Sequence, residues 1–395
     1  MKYWRGYLTA AIFAGLSWIL MQFGKSYSQL VDIIYPYVTR FLQTMLAEWT
    51  GGVDYLVWQA LLITFLLVVL ATLVLLVIFR WNLVQWLGWV LAAASVVFCL
   101  HTGMYGLNYY AGDLTDDIRI EMVTPTQKQL EHATIYFRDQ ANALAKQVSR
   151  DAQGELQSPG FEELAQMAGE GFEKLTYDKL YSVFAGSTLP VKKLGWADMY
   201  TSMGIDGVTM PITGEAAVNP QTPSVALPWV MCDEMSHRMC IAREDDANFA
   251  AFLASRENSS VYFQYSAYFM AYRYCINALS SANSAAASRV RVDVSKELAQ
   301  DMASYDRHYA KEMDPNASQV ANTVNDSYIK VSGDEDGVAS YGAVCDQLVN
   351  WYLSAVAPLM EPEEDTPKFD PFDETQVDLT GLRGYPATEP TEEAG

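Results

Sequence analysis

The sequence predicts a mainly α-helical membrane protein: three transmembrane helices at the N-terminus, then a mostly helical extracytoplasmic domain with a small β element. Three observations predict it. Residues 61–79 form an almost unbroken apolar run, LLITFLLVVLATLVLLVIF. Charge is divided unequally, with five basic and three acidic residues up to position 108 and 21 basic and 44 acidic residues after it. Beyond position 126, apolar residues recur at helical spacing in long segments, interrupted by a Gly- and Pro-rich stretch over 186–228.

The membrane unit covers residues 1–110, with spans expected near 6–23, 58–79 and 84–107. The second exceeds the roughly 20 residues that cross a hydrocarbon core of about 30 Å. The third is uncharged apart from His101 and carries Trp86, Tyr105, Tyr109 and Tyr110 towards its ends, where interfacial aromatics belong. One His near an interface marks an ion path less often than it simply finds a hydrogen-bond partner. The first span follows Lys2 and Arg5 as a signal peptide would, but no small-x-small cleavage site precedes Lys25 and Ser26, so it is read as retained. Its positive flank places the N-terminus in the cytoplasm, leaves Lys25 and Arg40 in an external loop, and puts the chain after Tyr110 outside.

Residues 111–360 form the extracytoplasmic domain, with helices expected at 126–152, 161–184, 229–240, 244–255, 260–286, 293–312, 317–329 and 339–358 and a short strand at 207–213. From position 361 the tail holds eleven acidic residues, two basic ones and five prolines, a composition that favours a disordered, solubilising segment. The acidic surplus excludes a nucleic-acid partner, which needs clustered Lys and Arg, and predicts that the domain stands off anionic headgroups.

The chemistry is concentrated in residues 229–249, WVMCDEMSHRMCIAREDDANF. On a helix, Asp233 and His237 share a face and can converge on one ion, with Glu234 beside them. This is the HExxH layout with Asp in place of the first His, although a DExxH string also describes a solvated acidic helix face. Glu244 lies seven residues beyond His237, about 10.5 Å along a straight helix, so the helix must end and the chain reverse to bring the two together. Cys240 stands where that reversal falls.

The stretch from Arg243 to Phe249 resembles the E-x-x-A-D or E-x-x-A-N segment with which many membrane zinc peptidases supply a glutamate ligand. More widely, residues 1–360 resemble an uncharacterised bacterial membrane-protein family catalogued as domain of unknown function 3810, with a pattern like HExxHxxGxxxEDEANF. Tyr35-Pro36-Tyr37 with Arg40-Phe41, Gly106-Leu107-Asn108-Tyr109, Pro211-Ile212-Thr213-Gly214-Glu215-Ala216 with Asn219, Asn325-Asp326-Ser327-Tyr328 and Ser340-Tyr341-Gly342 carry the likeness.

The resemblance implies a bacterial cell membrane as the location and a zincin-like domain in which His237 and Glu244 bind metal, Asp233 takes the place of the first histidine ligand, and Glu234 is the general base. Zinc is the implied cofactor. Carboxylate in place of imidazole hardens the donor set and moves preference towards another divalent cation such as manganese, magnesium or calcium. Cys240 replaces the family's glycine, which a reversal at positive φ favours.

Three further features carry less specific expectations. Pro211 to Asn219, with Glu215, reads either as an edge strand that pairs with an extended substrate or as a turn bracing the metal helix. Tyr328 and Tyr341 read either as phenols placed near a developing oxyanion or as packed side chains. Cys232 and Cys240 lie ~12 Å apart along a helix, too far to bridge each other, so each is expected to pair with Cys275 or Cys345 if disulfides form. The expected function is a membrane-anchored, metal-dependent hydrolase, a peptidase acting on a peptide or envelope-protein substrate outside the cytoplasm. The alternative is a silent relative that binds or scaffolds an envelope partner without turnover.

Overall fold

The computed structural model describes residues 4–332 and 343–360. Tyr341 and the tail from 361 lie outside the described residues. Three 22-residue helices, α1 (Arg5–Ser26), α3 (Val57–Ile78) and α4 (Leu83–Met104), are long and apolar enough to cross a membrane. Helices α1 and α4 meet where Gly6 faces Gly88: a Cβ built on Gly6 would fall 2.4 Å from the Gly88 carbonyl carbon, so only the smallest residue permits the approach. Trp86 Nε1 donates to Thr72 Oγ1 at 3.1 Å near the turn that joins α3 to α4.

The expected external loop after the first span is instead a 23-residue helix, α2 (Ser28–Thr50), with Pro36 inside it. An interior proline costs roughly 3 kcal/mol. Docking of the inner face offsets that: Arg40 donates to the carbonyls of Met239 and Ser182, Gln43 to that of Pro211 and Thr50 to that of Thr213, all at 2.9–3.2 Å.

After α4, a 3₁₀ turn (Gly106–Tyr110) leads to the short α5 (Leu114–Asp117). A capping box of Thr126 and Gln129 opens α6 (Gln127–Ala145). The helix expected over 161–184 is broken into α7 (Phe161–Met167) and α8 (Glu170–Tyr177), and α8 presses Gly171 against the carbonyl of Ala254. Then come α9 (Ala197–Met203), α10 (Leu227–Arg238), α11 (Glu244–Glu257) and α12 (Val261–Ala282). Asn283 ends α12 and caps α13 (Ser284–Val292), which splits the helix expected over 260–286. The order closes with α14 (Lys296–Glu312), α15 (Pro315–Ser332) and α16 (Val344–Ala355). Phe137 of α6, Phe252 of α11, Tyr268 of α12 and Trp351 of α16 pack ring against ring at the centre, with Phe252 and Trp351 4.8 Å apart edge to face.

The β element is a three-stranded sheet ordered β1 (Lys192–Lys193), β3 (Glu215–Val218), β2 (Gly207–Met210). Strand β3 runs parallel to β1 and antiparallel to β2. It is therefore the central strand, and the edge-strand reading of 211–219 is corrected: within the sheet β3 already has a partner on each side, and β1 and β2 hold the two edges. Glu215 does something else. Its carboxylate accepts the backbone N–H groups of Val57 and Trp58, each at 2.9 Å, and pairs with Lys192 at 2.8 Å. It thereby caps the N-terminus of α3 with negative charge and ties the sheet to the start of that apolar helix.

The cysteine expectation also changes. Cys232 points at the Ala168 carbonyl and Cys240 packs beside Tyr105 and Tyr109, whereas Cys275 and Cys345 are neighbours with sulfurs 3.8 Å apart. All five cysteines are buried free thiols.

Candidate metal centre

Helix α10 carries Asp233, Glu234 and His237 and ends in a Schellman motif. Ile241 N–H donates to the Ser236 carbonyl and Cys240 N–H to that of His237. Cys240 occupies the left-handed position of that motif, at φ 71°. The reversal expected of a glycine is thus made by a cysteine, and the next residues start α11 with Glu244 in its first turn.

This turn brings His237 and Glu244 together, with Nε2 and Oε2 3.7 Å apart and each side chain only 13–14% exposed. The other ring nitrogen, Nδ1, lies 2.9 Å from the Ile241 carbonyl. As a donor there, Nδ1 leaves Nε2 as the nitrogen directed at Glu244, the tautomer a ligating histidine adopts. The same turn that reverses the chain also orients the imidazole.

Asp233 does not join them. Among the described residues no three His, Cys, Asp or Glu side chains converge closely enough to hold an ion. Asp233 Oδ1 is buried without a hydrogen-bond partner among those residues. The structure thus sets His237 and Glu244 face to face, with Asp233 near enough to act on both electrostatically. The chemistry of the donors suits a divalent cation, since an imidazole nitrogen faces one carboxylate and a second carboxylate lies nearby.

The electrostatics show how the cluster holds protons. Burial pulls the His237 imidazole down, but Glu244, Asp233 and Glu234 outweigh it and hold the pKa up at about 10. Burial raises the Asp233 and Glu234 carboxyls, against the opposing pull of His237. The cluster therefore holds protons tightly near neutral pH, on His237 and on the raised Asp233 and Glu234 carboxyls, and a cation bound there would compete with those protons.

Glu234 faces away from solvent, against β2. Thr209 Oγ1 sits 2.6 Å from its Oε2 and 2.8 Å from its carbonyl oxygen. Gly207 leaves room for it: a Cβ there would lie 2.3 Å from Glu234 Oε1. Thr209 is a site residue that sequence reading missed, though it falls in the strand the sequence located.

The other missed group is the roof. Tyr105 and Tyr109, read as interfacial aromatics, are buried with Cys240 and Ala242. Burial, then the neighbouring Cys240, Tyr328, Glu244 and Glu234, hold the Tyr105 phenol well above its ordinary range. Tyr328 stands on the same side: its hydroxyl is 3.0 Å from His101 Nε2, and its ring meets Tyr109 edge to face. His101 has the hydrogen-bond partner expected of it. Asn219 is a bracing residue, donating to Thr201 Oγ1 at 2.8 Å and to the carbonyls of Ile205 and Ala197. Arg243 locks the start of α11 by pairing with Asp113 and Asp246 at 2.5 and 2.6 Å.

A family model described as protein of unknown function (DUF3810) matches residues 27–349. No curated protein and no solved structure matches the chain.

Proposed function

The chain belongs to the DUF3810 family, and from that membership and the geometry above we propose that it is a membrane-anchored, metal-dependent hydrolase of the zincin type, a peptidase acting outside the cytoplasm. The observation that carries the proposal is the His237–Glu244 pair, with Nε2 turned to Oε2 and Nδ1 held by the Ile241 carbonyl. These two side chains, with Asp233 beside them, would hold a divalent cation, zinc or a harder ion. Bound there, the cation would supply Lewis acidity to polarise a scissile carbonyl.

The remaining roles fall to the chain's own groups. Glu234, in a pocket that raises its proton affinity, takes the proton of the attacking water and passes it to the leaving amine. Thr209 fixes the orientation of that carboxylate. Strand β2 is the edge along which an extended polypeptide pairs, its backbone groups beside Glu234. Tyr105 is electrostatically coupled to Tyr328, Glu244 and Glu234, and Tyr328 is the candidate to support a developing oxyanion. The substrate is a peptide or envelope protein.

A second reading has its own observation. Asp233 stands outside the His237–Glu244 pair, so a silent relative that binds a polypeptide on β2 without cutting it is consistent with the same cleft. Full-length protein in nanodiscs separates the two. Metal content and cleavage of a mixed peptide pool are measured for wild type, Glu234→Gln and Asp233→His. The hydrolase reading expects metal in all three and cleavage lost only in Glu234→Gln. Metal without cleavage in wild type, with cleavage gained in Asp233→His, supports the silent relative. Absence of metal from both wild type and Asp233→His overturns the metal site itself.

A further inference from the structure

The outer face of α2 is the wrong way round for water. Ile33, Ile34, Tyr37, Phe41, Met45 and Trp49 recur along it at helical spacing, each 52–77% exposed. The inner face is the polar one: Thr39, Arg40, Gln43 and Thr50 turn towards the domain and hydrogen-bond to it or to Asn108. An amphipathic helix on a water-soluble surface buries its apolar stripe. Scattered exposed apolar residues need no explanation, but a continuous stripe of large ones does.

The ends of the helix say what covers it. It starts two residues after α1 ends and stops seven before α3 begins, so both ends lie where a span meets the same face of the bilayer. At about 35 Å it is as long as a span, yet it has both ends on one face, so it runs along that surface and does not cross it. Its charges fit this position. Arg40 turns inward, Asp32 accepts the Gly112 N–H at 2.8 Å, and Glu48 lies beside Trp49 near the end of the helix, at the depth where headgroups and indole rings mix.

We propose that α2 is an interfacial helix whose outer stripe sits in the headgroup–acyl boundary of the bilayer that α1, α3 and α4 cross. The partner is lipid, and the affinity comes from apolar area with aromatic residues at the boundary. Because Arg40 of this helix holds the carbonyl of Met239, the turn that orients His237 is fixed about one helix diameter, roughly 10–12 Å, from the lipid. The inference rests on the three spans and not on hydrolysis.

Site-directed spin labelling of the full chain in phospholipid nanodiscs tests it. Labels are placed one at a time through Ile33→Cys, Phe41→Cys, Leu67→Cys in α3 and Val292→Cys on the far, exposed side of the domain, with unsubstituted protein as the background for the buried native thiols. Collision rates with oxygen, which prefers lipid, and with a water-soluble nickel chelate give depth. The expected result is an oxygen-to-nickel ratio at positions 33 and 41 several-fold above that at 292 and approaching that at 67. A ratio at 33 and 41 equal to that at 292, with 67 deep, overturns the inference alone. Low access to both reagents at 33 and 41 means protein covers the stripe and also overturns it. A watery reading at 67 removes the spans and the inference together.

Discussion

His237 Nε2 faces Glu244 Oε2 across 3.7 Å while the Ile241 carbonyl holds Nδ1 at 2.9 Å. In the metal-free protein this geometry makes the pair a trap for a proton. With its pKa raised to about 10, His237 is a cation at neutral pH, and a ligating metal must displace that proton. Calorimetric titration of metal-free protein with zinc, in two buffers of different ionisation heat, should show net proton release at pH 7, from His237 and from the raised carboxyls beside it. Binding with no release would remove His237 from the ligand set.

The same raised pKa predicts the sign of a stability change. A histidine that ionises more readily in the folded chain stabilises it fully below its unfolded pKa of roughly 6.5, and that contribution is lost as pH rises through about 10. Metal-free wild type should therefore lose thermal stability across that window relative to His237→Gln. A constant difference between the two proteins over the window would contradict it.

Cys240 stands at φ 71° with its side chain packed against two tyrosines. Cys240→Gly relieves the left-handed strain and forfeits a small buried side chain, so thermal denaturation should change little. Cys240→Val places a β-branched residue in the same conformation and should cost about 1–3 kcal/mol.

Gly207→Ala drives a methyl group into the Glu234 carboxylate, since a Cβ there would lie 2.3 Å from Oε1. Turnover should fall by orders of magnitude while metal content stays at the wild-type level. Loss of metal together with turnover would mean that β2 supports the whole centre and not Glu234 alone.

Glu215→Ala leaves the Lys192 ammonium and two N–H groups at the start of α3 without their acceptor. Removing one member of a buried pair costs about 3–5 kcal/mol. Glu215→Gln, which keeps an acceptor, should lose less, and thermal unfolding in nanodiscs ranks the two.

The three long apolar helices were legible because an uncharged run such as 61–79 has no soluble use. Helices α10 and α11 were legible because the chemical string and the apolar spacing coincide. Helix α2 was not, since Pro36 argues for a break and its apolar residues seek lipid and not the domain core, so no pattern for a soluble helix fits. The nearness of His237 and Glu244 followed from a reversal the sequence demanded, but its cysteine gave the opposite signal until backbone hydrogen bonds at Ser236 and His237 showed the motif. Glu215 and Thr209 act through contacts 158 and 25 residues away. Such pairings depend on packing and leave no local trace.

One contact of Glu215 reaches past stability. With Arg40 on Met239, and Tyr105 and Tyr109 beside Cys240, it means that residues 111–360 expressed as a soluble fragment would be an incomplete domain, not a smaller protein. The fragment would lose the roof over the centre, the guanidinium that pins the turn and the amides that pair with Glu215. An inert fragment would therefore say nothing about the intact chain, and assays belong on protein that keeps its bilayer.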